Sequence, residues 1–102
     1  MEIVITHTNA DFDAYASMVA VGKLHPQAKA SFPGAMEENL RLFLHDHPSP
    51  IEIIRSKNLD LSQISHLFLV DTKLSSKIGV FSALTGSPAC RTTVYDHHAK
   101  LP

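Results

Sequence analysis

Seven side chains able to bind metals or move protons sit just past the ends of apolar runs. His7, Asp11 and Asp13 follow residues 2–6 in T-H-T-N-A-D-F-D. Asp71 follows residues 66–70 in V-D-T, and Asp96, His97 and His98 follow residues 91–95 in Y-D-H-H. Several carboxylates cannot share a small volume in ionised form unless cations neutralise them. Carboxylate oxygen combined with imidazole nitrogen suits Mn²⁺, Fe²⁺, Co²⁺ or Zn²⁺. A carboxylate can bridge two ions, and ions ~3.5–4 Å apart can activate water and stabilise a leaving oxygen in phosphoryl chemistry. Asp71, alone after the most apolar run, is placed to bridge. Each feature has a plainer explanation by itself: Asp11 as a helix N-cap, Asp71 as a turn residue, the histidine pair as surface. Structure alone does not so easily explain their joint position at three run ends.

A parallel sheet is what would bring them together. Residues 2–6, 28–32, 51–55, 66–70 and 91–95 read as short strands. Leu67-Phe68-Leu69-Val70 is continuously apolar, as expected of a strand buried on both faces. Residues 11–24 read as a helix, with Ala14, Met18, Val21 and Leu24 at helical spacing and Pro26 past its end. Residues 37–45 read as a second helix with Leu40, Phe43 and Leu44 on one face, and 75–84 as a weaker third, interrupted by Gly79. Residues 59–64 read as a loop with a helical turn. The order β-α-β-α-β-β-α-β predicts an α/β fold: a five-stranded, mostly parallel, Rossmann-like sheet with helices on both faces. Ligands of open parallel sheets bind beyond the carboxyl ends of the strands. With strands one, four and five as neighbours, the seven residues gather at one edge. Strands two and three end in F-P-G and R-S-K, with no acid at the tip.

Composition narrows the function classes. The 102 residues are 44% hydrophobic and 19% charged, enough apolar material for one folded unit. A net charge of −1 gives no global basic field for nucleic acid. No apolar run reaches the ~20 residues of a membrane span, and Met-Glu-Ile-Val-Ile-Thr does not read as a signal peptide. The single cysteine, Cys90, cannot form an internal disulfide, which fits the expected cytoplasmic location. It reads as a small residue beside a strand, not as a nucleophile.

In order along the chain, H-T-N-A-D-F-D-A-Y-A-S (His7 to Ser17), V-D-T (Val70 to Thr72) and D-H-H (Asp96 to His98) resemble the first three motifs of the DHH phosphoesterase superfamily. That superfamily includes single-strand exonucleases, short-oligoribonucleotide phosphatases, cyclic-dinucleotide phosphodiesterases and manganese-dependent inorganic pyrophosphatases. The resemblance implies an enzyme that hydrolyses a phosphodiester or phosphoanhydride of a nucleotide or oligonucleotide. Water would be activated by two metals, Mn²⁺ first, with Mg²⁺ or Co²⁺ as alternatives. It further implies that His7 and Asp11 bind one ion, that Asp13 and His97 bind the second, and that Asp71 bridges. Asp96 would orient neighbouring groups. His98 would face the substrate phosphate as donor or proton shuttle, and Ser17 would brace the site. The implied partner is a phosphate-containing small molecule or a short single-stranded nucleic acid, with no membrane; a homo-oligomer is compatible.

Two departures qualify the resemblance. Phe12 stands where many members carry Gly or Ser between the two aspartates, and it either lines the pocket or packs under the loop. The fourth motif, with its further metal-binding Asp, and the substrate-gripping C-terminal domain have no counterpart here. The resemblance therefore covers an N-terminal DHH subdomain over 1–102, expected to bind metal weakly and turn over little alone. The stretch N-A-D-F-D-A-Y-A-S, with F-P-G and E-E-N-L-R, resembles one subset in particular. There a DHH module precedes CBS domains and a tRNA nucleotidyltransferase (poly(A) polymerase) head. The alternative function is accordingly a non-catalytic nucleotide-binding module that regulates such fused domains. A haloacid-dehalogenase-like phosphatase fits poorly, since its first Asp directly follows the strand, whereas His-Thr-Asn-Ala intervenes here.

The remaining features read as scaffold. His45-Asp46-His47 and His25 read as solvated helix ends, where cationic His suits the dipole. His66 reads as an exposed edge residue. Lys73, Lys77 and Arg91 read equally as phosphate attractors or as ordinary surface charge.

Overall fold

A computed structural model describes residues 1–72 and 78–95. Among these residues the sheet has four strands, β1 (Glu2–Ile5), β2 (Lys29–Ala30), β3 (His66–Val70) and β4 (Arg91–Tyr95). All neighbours are parallel, in the order β2-β1-β3-β4. The expected α/β class and parallel pairing hold, but the expected fifth strand does not. Residues 51–55 run beside β2 and pair at one point only, an isolated bridge between Ala30 and Ile53. Ala30 N–H donates to Glu52 C=O at 2.7 Å, and Ile54 N–H donates to Ala30 C=O at 2.8 Å. The cause lies on both sides of that contact. β2 is two residues long and soon meets Pro33, which has no N–H to extend a ladder. The 3₁₀ turn Ser56–Asn58 then turns the other chain away.

Period-two alternation assigns the two faces. Val4, Phe68 and Val70 point to one side, where Ala14, Met18, Val21 and Leu40 of the two α-helices cover them. Ile3, Ile5, Leu67 and Leu69 point to the other, against Ile64, Ile78, Phe81 and Cys90. The central strands are thus sealed on both faces, as their apolar runs require. Helices do not cover both faces among the described residues. The helices α1 (Phe12–Leu24) and α2 (Glu38–Asp46) share one side. The other is carried by 3₁₀ turns at Leu61–Gln63 and Gly79–Leu84. Connections stepping outward past β2 lie on the α-helical face, and those leading to β3 and β4 on the opposite one. That division is expected when every parallel crossover keeps the same hand.

Leu24, placed on the helical core stripe by spacing, is 69% exposed in the last turn of α1. Of the expected third helix, residues 75–77 lie outside the described residues, and the rest is the 3₁₀ turn. Gly79 explains the change, because it holds φ +61 with no room for a Cβ, which would stand 2.8 Å from the Pro33 carbonyl oxygen. Gly79→Ala is therefore expected to cost about 1–3 kcal/mol, combining left-handed strain with that clash. Gly86→Ala, at φ +82 with nothing within 4 Å of the added carbon, carries the strain alone. Urea unfolding of the pair should place Gly79→Ala below Gly86→Ala; equal midpoints would mean the Pro33 contact has no weight.

Two histidines differ from their expected roles. His66 opens a central strand, not an edge, and stacks on Phe68 at 4.0 Å between ring centres. Its Nε2 pairs with the Thr93 hydroxyl at 2.7 Å. Burial, reinforced by the Arg91 charge, lowers its pKa, so the ring is held neutral. His25, at the C-cap of α1, packs on Phe68 at 4.5 Å and is not a solvated end. By contrast His45 is exposed and pairs with Asp46 at 3.2 Å, as a solvated helix end should. Cys90 is buried and free, and burial raises its pKa, which suits packing and not nucleophilic attack.

Candidate metal centre

The sequence order of the sheet reverses between β1 and β3, the position at which open parallel sheets form a crevice beyond their carboxyl ends. The two strand tips are fastened there. Thr6, fully buried, donates its hydroxyl to the Val70 carbonyl at 2.8 Å. One residue further along each strand, His7 and Asp71 meet across the seam, with Nε2 3.7 Å from Oδ2. His7 Nδ1 lies 2.7 Å from the Thr8 carbonyl oxygen. A carbonyl can only accept, so Nδ1–H is the donor there, which leaves Nε2 as the ring nitrogen turned toward Asp71 and the one available to a metal.

Asp71 adopts φ +55, and Asn9 in the facing loop adopts φ +59. Among residues with a Cβ, Asn and Asp enter this left-handed region at least cost. The Asp71 N–H donates to the Tyr95 carbonyl at 3.1 Å, which ties the turn to β4. Asp11 is the N-cap of α1, and its Oδ1 accepts from Ala14 N–H at 3.0 Å. The cap orients that carboxylate and seats it at the positive end of the helix.

Donor atoms of His7, Asp11 and Asp71 all lie within 4.8 Å of one another. Ligands about 2.0–2.2 Å from a shared ion stand at most about 4.4 Å apart. Three ligands of one tetrahedral ion stand closer still, about 3.4 Å apart, so a common ion needs side-chain movements of about 1 Å. Two carboxylates and an imidazole with Nε2 turned inward are also the right donor set for a divalent transition metal. His7 and Asp71 are half-buried and Asp11 is exposed, so the trio is open to solvent on one side.

Asp13, on the first turn of α1, is exposed and outside this trio. It lines a cavity of about 520 Å³ together with Phe12, Phe43 and His47. Phe12 is 43% exposed and meets Phe43 edge-to-face at 5.5 Å, so it lines that cavity and does not pack beneath the loop. Ser17 donates to the Asp13 carbonyl at 3.1 Å, bracing the turn that carries Asp13. Asp96, His97 and His98 lie outside the described residues, as do Lys73 and Lys77; β4 ends at Tyr95, in register with Val70.

The support beneath the trio was not read from the sequence. Asn9 N–H donates to Ala35 C=O and Glu37 N–H donates to Ala10 C=O, both at 2.8 Å, around a parallel bridge from Ala10 to Met36. Gly34 comes so close that a Cβ there would stand 3.2 Å from Thr8 Cγ2. Residues 33–37 therefore buttress the loop that carries His7 and Asp11. The one sequence signal was P-G followed by E-E, a turn ahead of a helix.

This chain is similar to an A-adding tRNA nucleotidyltransferase. That protein, from Geobacter sulfurreducens, shares 39% identity over 99 residues, 96% of the present chain. The matched stretch is 11% of that relative's length, so the chain spans about a tenth of it. No family model matches the chain, and no solved structure matches it. The likeness links the chain to a tRNA nucleotidyltransferase-related protein, the kind of relative suggested by the N-A-D-F-D-A-Y-A-S and F-P-G stretches. No helix among the described residues is long and apolar enough to cross a membrane.

Proposed function

We propose that the chain is the metal-binding part of a DHH-type phosphoesterase module within a protein related to tRNA nucleotidyltransferases. The module hydrolyses a phosphodiester or phosphoanhydride of a nucleotide or oligonucleotide. The observation that carries this reading is the convergence of His7, Asp11 and Asp71 at the point where the sheet order reverses. These are the two ligands that the motif resemblance assigns to one ion and the group it assigns as the bridge. Thr8 sets the His7 tautomer, the α1 cap aims Asp11, and the left-handed turn after β3 projects Asp71. Bound divalent ions, Mn²⁺ first, would supply Lewis-acid polarisation of the phosphoryl group and acidify water. Asp13 and His97 complete the ligand set by motif, with Asp96 orienting and His98 delivering a proton to the substrate phosphate.

Mn²⁺ titration of the full-length protein tests the reading. The expected result is a saturable rise in melting temperature and Mn²⁺-dependent release of mononucleotide from a short oligoribonucleotide. An ion at a hundred times its Kd stabilises by about 2.7 kcal/mol, which thermal melting resolves readily. Neither shift nor turnover at millimolar Mn²⁺ would sink the proposal. The likeness to a nucleotidyltransferase favours one second reading, a nucleotide-binding module that regulates a fused enzyme. Nucleotide binding by the full-length protein without turnover would select it.

A further inference from the structure

A second cavity opens on the same edge of the sheet. It has a volume of about 380 Å³, within the range typical of small-molecule sites. Phe32, Met36 and Ile53 supply apolar wall, and Arg55 and Lys57 supply positive charge. Among the described residues no ion pair engages either cation, whereas Lys29 is paired with Glu52 and Arg41 with Glu38. Among the described residues, the charge at this mouth thus has no ion-pair partner. The R-S-K run, which carries no acid, ends the segment beside β2 and supplies both cations.

The cavity and the metal trio share a wall. Met36, which lines the cavity, pairs with Ala10, the residue next to Asp11. Gly34, also lining it, lies against Thr8, the residue next to His7. A molecule reaching from the trio over residues 33–37 enters a space apolar within and cationic at the rim. That combination suits a nucleoside carrying a phosphate: the base against Phe32, Met36 and Ile53, the phosphate against Arg55 and Lys57. Arg and Lys both bind phosphate through charge-assisted hydrogen bonds.

We propose that this cavity binds the non-reacting nucleotide unit of the substrate. The substrate class is then an oligonucleotide or dinucleotide with a second phosphate beyond the cleaved bond, and not inorganic pyrophosphate or a simple monoester. The assignment rests on the proposed phosphoesterase reading for the location of the cleaved bond. The cavity's own affinity for a nucleotide can be measured without it.

The test is equilibrium binding to the full-length protein of two probes, the 5′-phosphorylated diadenylate pApA and inorganic pyrophosphate. Mn²⁺ affinity is measured separately by the electron paramagnetic resonance of free Mn²⁺. In the double variant Arg55→Gln/Lys57→Gln, pApA affinity should fall about tenfold or more. Pyrophosphate and Mn²⁺ affinities should stay within about twofold, and the melting temperature should hold because both side chains are exposed. Unchanged pApA affinity in the variant, or no pApA binding by the wild type, overturns the proposal. An equal loss for pyrophosphate also overturns it, since the cavity would then be a simple anion site. If the wild type binds no Mn²⁺ yet pApA binding still depends on Arg55 and Lys57, the cavity assignment stands and the phosphoesterase reading falls.

Discussion

Asp71→Asn should leave the domain folded and remove most of the stabilisation that Mn²⁺ gives to the wild type. The substitution isolates charge from shape. Residue 71 sits at φ +55, a conformation that Asn adopts as readily as Asp. Its backbone N–H can still donate to Tyr95 C=O. What disappears is the anionic oxygen that stands 3.7 Å from His7 Nε2 and closes the trio. An amide oxygen is a much poorer ligand for a divalent transition metal than a carboxylate. The expected loss in Mn²⁺ affinity is on the order of a hundredfold or more, the scale of contribution expected for a primary ligand when even supporting groups carry 10–100-fold. At an ion concentration that stabilises the wild type by about 2.7 kcal/mol, a hundredfold loss leaves the variant a gain of only about 0.4 kcal/mol, and a larger loss leaves less. Without Mn²⁺ the two proteins should melt within about 0.5 kcal/mol of each other, a typical range for a change that disturbs no packing. An undiminished Mn²⁺ shift in the variant would show that the ion binds elsewhere. Asp71→Ala is a poorer probe, because Ala tolerates φ +55 less well and would lower stability for an unrelated reason.

Phe68→Ala should cost the most stability of any single change considered, about 3–5 kcal/mol. Phe68 is 1% exposed at the centre of β3, and its ring packs against two imidazoles, His25 at the C-cap of α1 at 4.5 Å and His66 on the same strand at 4.0 Å. Truncation leaves a cavity beneath α1 and strips apolar cover from two polar rings. Domains of this kind have total stabilities of about 5–15 kcal/mol, so the variant should be partly unfolded at physiological temperature. Denaturant unfolding followed by far-UV circular dichroism gives the number. Phe68→Leu, which keeps most of the volume, should recover well over half of the loss. A cost below about 1.5 kcal/mol for the alanine variant would mean that His25 or His66 moves in to fill the space.

Much of the fold was legible because its central strands are buried on both faces. An apolar run such as Leu67-Phe68-Leu69-Val70 leaves few alternatives, and its alternation assigns residues to faces as the structure has them. The segment at residues 51–55 was misread for a reason that strand propensity cannot show. A strand needs a neighbour long enough to pair with, and β2 offers little beyond Ala30 on that side. His25 and His66 differ from expectation because exposure was inferred from polarity, whereas both imidazoles pack on the Phe68 ring as aromatic side chains do. At the site, residue types and strand-end positions were enough to place His7, Asp11 and Asp71 together. The groups that aim them were not legible. They are backbone atoms, the Thr8 carbonyl and the N–H groups of Asn9 and Ala14, or a hydroxyl bond across two strands. Nothing in a side-chain alphabet records where a carbonyl points.

The strand order also governs when the centre can exist. β1 is made well before β3, yet it lies inside the sheet between β2 and β3. Its register partner for Ile5 is Leu69, 64 residues later. Closing so long a loop costs entropy that is repaid only after the contact forms. During synthesis, at roughly 5–20 residues per second, β1 waits several seconds with one edge unsatisfied. His7 and Asp11 share that wait, since Asp71 reaches them only when β3 pairs. The clustered charge of the trio is therefore never carried by an early, half-built chain; it arises with the pairing that completes the core.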